Sequence, residues 1–76
     1  MKVKVYSTPS CFFCKQLKEF LKENKIKFEE VNVQEDQEAA MEMIQKTGQT
    51  GVPVTEIDGK IIIGFDEEKL REVLKL

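Results

Sequence analysis

Polar and apolar residues alternate through Lys2-Val3-Lys4-Val5-Tyr6, the period of a strand with one buried face. The period then changes. Leu17, Phe20 and Leu21 recur at helical spacing, which predicts a helix from Cys11 or Phe12 to Glu23, ended by Asn24-Lys25. Between the two, Ser7-Thr8-Pro9-Ser10 reads as a turn; Pro9 forbids an earlier helix start and Ser10 is the candidate N-cap. Lys27 to Val33 reads as a second strand, with Phe28, Val31 and Val33 apolar and Glu29-Glu30 breaking the alternation. Gln34-Glu35-Asp36 opens a second helix with Asp36 as cap, and Ala39, Ala40, Met43 and Ile44 form its apolar stripe. Gly48 suits the left-handed residue that closes such a helix, and Gln49-Thr50-Gly51 is a loop.

Val52 to Ile57 is predicted as a strand whose early proline, Pro53, removes a ladder donor at that point. Asp58-Gly59 is a tight-hairpin signal, so Lys60 to Ile63 returns antiparallel. After the Gly64-Phe65 turn, Asp66 caps a last helix from Glu67 to about Leu74, with Leu70, Val73 and Leu74 turned inward. The order βαβαββα follows. A helical crossover makes the first two strands parallel, and the hairpin adds an antiparallel pair. The expected fold is α/β: a mixed four-stranded sheet with helices on both faces, all within one domain spanning residues 1–76.

Charge changes this picture little. Acidic and basic residues are interspersed and the net charge is −2, which leaves no footprint for nucleic acid or an anionic membrane. No apolar run approaches the ~20 residues that span a bilayer, and the charged, strand-like start is unlike a secretory leader. A reducing cytoplasm and a monomeric chain are the expectation.

The chemistry lies in Cys11-Phe12-Phe13-Cys14, which holds the chain's two cysteines where the first strand gives way to the first helix. A disulfide across two intervening residues constrains little of the unfolded chain, so a structural staple explains the pair poorly and redox exchange explains it well. Helix N-terminal N–H groups and the positive dipole end favour a thiolate. Cys11, at or beside the first helical position, is the expected exposed nucleophile, and Cys14, a turn inside, the buried resolving thiol. The chain has no histidine, which excludes an imidazole base and any His-containing zinc site. Lys15 and Lys18 are the nearest cations; Lys18 reads as an ordinary solvated residue and Lys15 as the one affecting the site. Of the two aromatics, Phe13 is expected partly packed and Phe12 exposed, as an apolar contact for a substrate protein. A metal or iron–sulfur cluster is the alternative use of the pair, but two thiols cannot fill a tetrahedral site, so it requires a dimer or an added thiol. Copper carriers share a Cys-x-x-Cys after a first strand, but their βαββαβ order differs from this one.

With the Cys-x-x-Cys, Thr47-Gly48-Gln49, Val52-Pro53-Val54, Asp58-Gly59 and Gly64-Phe65 in sequence, the chain resembles the glutaredoxin family over its whole length, and especially the small glutaredoxin-like proteins and NrdH-type redoxins. The resemblance implies a thioredoxin-like, glutaredoxin-type fold, a cis-Pro53 and reduction of protein or small-molecule disulfides through a reversible Cys11–Cys14 disulfide, with no bound cofactor. It also implies that Gly51, the backbone of Val52, Pro53, Gly64, Phe65, Asp66 and Glu67 border the substrate, and that glutathione or a thioredoxin reductase donates the electrons. There are departures. Phe12-Phe13 replaces the usual Pro-Tyr, uncharged Thr8 stands where a cation usually meets a glutathione carboxylate, Gly51 replaces a threonine, and Asp66 replaces a Ser/Thr. Gly64-Phe65 matches the Gly-Phe of NrdH-type redoxins. These differences favour the reductase over glutathione.

Overall fold

The computed structural model describes residues 1–76. Its elements are β1 (Val3–Ser7), α1 (Phe12–Glu23), β2 (Glu29–Asn32), α2 (Gln37–Thr47), β3 (Val54–Ile57), β4 (Lys60–Ile63) and α3 (Glu67–Leu74). The strands form one sheet in the order β2-β1-β3-β4. β1 and β2 are parallel, with Tyr6 opposite Val31; β1 and β3 are antiparallel, with Tyr6 opposite Val54. The expected mixed four-stranded sheet is present.

Alternation along β1 and β3 divides the core. Val3 and Val5 with Ile57 and Ile62 pack under Leu17, Phe20 and Leu21 of α1 and Leu70 and Leu74 of α3. Tyr6 and Val54 point to the other face, where Ala39 and Met43 of α2 cover them. Helices therefore lie on both faces, as the βαβ crossover requires. Val73, expected inward, is half-buried against the first cluster.

Caps decide where the helices begin. Asp36 accepts the Ala39 N–H at 3.0 Å and Asp66 the Lys69 N–H at 3.1 Å, the two expected caps. Gly48 closes α2 at φ 72°, where a side chain would be strained. Asp58 (φ 48°) and Gly59 (φ 88°) both turn left-handed, the backbone of a tight hairpin.

Several elements depart from the sequence reading. β2 is Glu29–Asn32 rather than Lys27 to Val33, because pairing with β1 starts only at Lys4–Glu29. Val33 keeps a single ladder bond to the Ser7 carbonyl, at 3.0 Å. β3 begins at Val54, not Val52, since Val52 and the donor-less Pro53 stay outside the ladder. Ile44, expected inward, sits 39% exposed at the rim of α2, where Ala39 and Met43 already fill the contact with the sheet.

Candidate active site

β1 delivers the chain to one end of the sheet, and a turn closed by Cys11 N–H on the Thr8 carbonyl (3.4 Å) leads into α1. That turn takes Ser10 out of capping position. Cys11 is the N-cap instead: its Sγ accepts the backbone N–H of Cys14 at 3.1 Å. A sulfur thus occupies the place where capping oxygens meet the unpaired donors of a first helical turn. Both thiols are free, Cys11 half-buried and Cys14 fully buried. Burial above all, then the hydrogen bond to Cys11, pushes the Cys14 thiol up to about 11, while the Thr8 backbone and the Lys18 charge pull it down.

The opposite wall comes from the start of β3. The Val52–Pro53 peptide is cis, as the family resemblance implied. The Val52 carbonyl accepts the Cys11 Sγ–H at 3.9 Å, and the Val52 N–H donates to no atom of the chain. The Pro53 carbonyl accepts the Gly64 N–H at 2.8 Å, which ties the end of β4 to this loop. Gly51 is folded under Gln49, donating to its Oε1 at 2.7 Å, and a Cβ on Gly51 would meet that same oxygen at 2.7 Å. A threonine there would force the Gln49 side chain away.

Phe12 is exposed as expected, whereas Phe13 is not packed. Phe12 and Phe13 are 65% and 58% exposed. Cys14 takes the inward position of that turn, so the Phe13 ring does not pack into the core; it meets Phe12 edge-on, with 5.4 Å between centroids. The two rings form one apolar knob beside Cys11. Phe65 packs against Phe20, with 6.0 Å between ring centroids. The Asp66 carboxylate is committed to capping α3, and Glu67 pairs with Arg71 at 3.1 Å. Neither acid has a hydrogen bond or ion pair to the cysteine turn.

Thr8, Pro9, Ser10, Cys11, Phe12, Lys15 and Lys18 line a single cleft. Lys15 makes no ion pair there. Lys18, which the sequence presents as a solvated residue, is the anchored cation: its Nζ lies 2.7 Å from Glu30 Oε2 of β2. Glu30 also accepts from Ser7 Oγ at 3.4 Å, and the Lys18 hydrogen bond holds its carboxyl below the usual range. One signal was available, since Lys18 follows Cys14 by four residues and so shares its helix face. No group of three or more His, Cys, Asp or Glu side chains is arranged to hold a metal ion. No helix is long and apolar enough to cross a membrane.

The family profile for glutaredoxin matches residues 3–62 of this sequence. The chain belongs to the glutaredoxin family. As a glutaredoxin-like protein it is, at the level the family fixes, a thiol–disulfide oxidoreductase, and members of the family need no bound cofactor. A glutaredoxin-like 8.6 kDa protein of the rubredoxin operon of Clostridium pasteurianum is 44% identical over 96% of this chain and 97% of its own. The glutaredoxin-like protein NrdH of Lactococcus lactis is 34% identical over 93% of this chain and 97% of its own. Among solved structures, the glutaredoxin of Archaeoglobus fulgidus superposes with a TM-score of 0.89 at 29% identity, covering 99% of this chain and 87% of that one.

Proposed function

We propose that this chain is a dithiol electron carrier in which Cys11 attacks a disulfide and Cys14 resolves the product. The Cys11 thiolate displaces one thiolate from a substrate disulfide, forming a mixed disulfide. Deprotonated Cys14 then attacks Cys11 Sγ, the Cys11–substrate bond breaks, and the second substrate thiolate leaves and takes up a proton. Two electrons pass to the substrate and the protein is left with a Cys11–Cys14 disulfide. The observation that carries this reading is the Cys11 sulfur at the N-cap, taking the Cys14 N–H at 3.1 Å beside the Val52 carbonyl. A helix N-terminus stabilises negative charge on such a sulfur.

Substrates are disulfide-bearing proteins and small disulfides. Support comes from the unpaired Val52 N–H, which leaves an extended peptide a backbone partner next to Pro53 and Gly51. The exposed Phe12–Phe13 knob gives apolar contact and Lys15 an unpaired charge, and Gly64, tied to the Pro53 carbonyl, leads on to Phe65, Asp66 and Glu67 as the outlying substrate contacts. The electron donor is a thioredoxin-reductase-type flavoenzyme rather than glutathione. Thr8 offers no charge to a glutathione carboxylate, and Asp66 and Glu67 are engaged within α3. The protein works as a monomer in the cytoplasm, without nucleic acid or membrane.

Replacing Cys11 with serine should abolish reduction of a model disulfide, whereas Cys14→Ser should accumulate the mixed disulfide, seen by mass spectrometry. A Cys11→Ser protein that retains dithiol-dependent turnover overturns the assignment. Offered separately to the oxidised protein, thioredoxin reductase with NADPH should regenerate the dithiol and glutathione with its reductase should not; the reverse result refutes the donor assignment.

A further inference from the structure

The resolving step requires a buried thiol to ionise. Cys14 must lose its proton to resolve the mixed disulfide, yet it is fully buried, and burial disfavours the anion it has to become. Once Cys11 is bonded to substrate, its sulfur carries no charge and brings no proton acceptor. The nearby fixed positive charge is Lys18, whose partner Glu30 offsets part of its field and holds it in place.

Three observations place it. Lys18 lies four residues after Cys14 on α1, on the same helix face. It lines the same cleft as Cys11. Its ammonium is pinned across to β2 at 2.7 Å from Glu30 Oε2, and Glu30 is itself steadied by the Ser7 hydroxyl of β1 at 3.4 Å. A lysine free on a surface loses most of its field to solvent and motion, while a pinned, three-quarters covered one keeps more of it.

Resting on the dithiol reading above, we propose that Lys18, held by Glu30 and Ser7, is a positioning residue for the resolving step: its fixed positive charge stabilises the Cys14 thiolate as it attacks Cys11 Sγ. The direction in which the Lys18 charge moves the Cys14 thiol agrees with this role. The other charged and titratable groups around the pair are Cys11 and Lys15 at the start of α1, Lys22 one turn further along, and Glu30 on β2; α3 presents Arg71 to the far end of α1, over Phe20. Of these, Lys18 alone combines a place on the Cys14 face with an anchored head group.

The reduced full-length protein mixed with an uncharged dipyridyl disulfide tests this in one trace. A first pyridinethione leaves when Cys11 attacks, and a second leaves when Cys14 resolves. Lys18→Gln should leave the first release within about twofold and slow the second about tenfold, with its pH profile displaced upward by about one unit, the equivalent of a tenfold loss in thiolate fraction. Lys18→Arg should restore the second release, and Lys18→Met serves as an independent neutral variant; the first release certifies that each variant is folded and reactive. A second release that Lys18→Gln and Lys18→Met leave unchanged, or that Lys18→Arg fails to restore, overturns the role of Lys18. Absence of a second release in the unsubstituted protein overturns the dithiol reading itself.

Discussion

At the scale of single residues, the two cysteines differ because their surroundings differ. Cys11 caps a helix, and Cys14 is sealed beneath it. A thiol pushed up to about 11 from an ordinary 9.0 leaves the folded dithiol binding more protons than the unfolded chain between those values. The stabilisation from this bound proton is complete below about pH 9 and is lost as pH rises to about 11. Urea midpoints of the reduced protein should therefore fall across that window, and the Cys14→Ser protein should lack this part of the fall. The sequence made the pair itself legible, through its spacing and its position after a strand. It did not make legible which residue caps α1, because Ser10 and Cys11 are both competent and the Thr8–Cys11 turn decides between them. Nor did it show that Lys18 rather than Lys15 is anchored. That rests on Glu30, a residue distant along the chain and brought alongside only by the sheet.

At the scale of elements, periodicity was enough for the three helices, the caps for α2 and α3, and the Asp58-Gly59 turn for the hairpin. What escaped were strand ends and rim positions. Neither β2's first residues nor Ile44 carry a local signal for how far their neighbours extend. The attachment of α2 was also hidden. One oxygen of Glu42 accepts from Tyr6 Oη at 2.9 Å and from Lys46 at 2.9 Å, with Lys4 at 3.4 Å, while Lys46 bridges on to Glu56 of β3 at 2.8 Å. Lys46 foremost and Tyr6 next hold the Glu42 carboxyl down to about 2. A depressed carboxyl stabilises the fold above its ordinary 4.5, and that contribution disappears as pH falls to about 2. Glu42→Gln should lower the urea midpoint at neutral pH and flatten its decline over that acid range. A decline equally steep in the variant would show that α2 is held by apolar contact alone.

At the scale of the whole molecule, 76 residues at the usual 0.05–0.15 kcal/mol per residue give about 4–11 kcal/mol of net stability. Leu21 is fully buried between α1 and the sheet. Leu21→Ala should cost about 2–5 kcal/mol, a large share of that total, and shift the guanidinium midpoint accordingly. A shift under about 1 kcal/mol would mean that the core collapses around the gap. The parallel β1–β2 pair and the β3–β4 hairpin were legible from element order, but the placing of β1 between β2 and an antiparallel β3 was not, because the connection through α2 leaves either edge open. The layout also has a polarity. β1 starts among Lys2, Lys4, Glu42, Lys46, Glu56 and Asp58, and finishes at the turn that carries Cys11. Its five residues separate an ionic pole from a reactive one by on the order of 10–15 Å. Substitutions that far apart combine nearly additively. Hardening the ionic pole against acid or heat therefore leaves the speed of sulfur exchange at the opposite pole intact, and selection can adjust robustness and reactivity as separate traits.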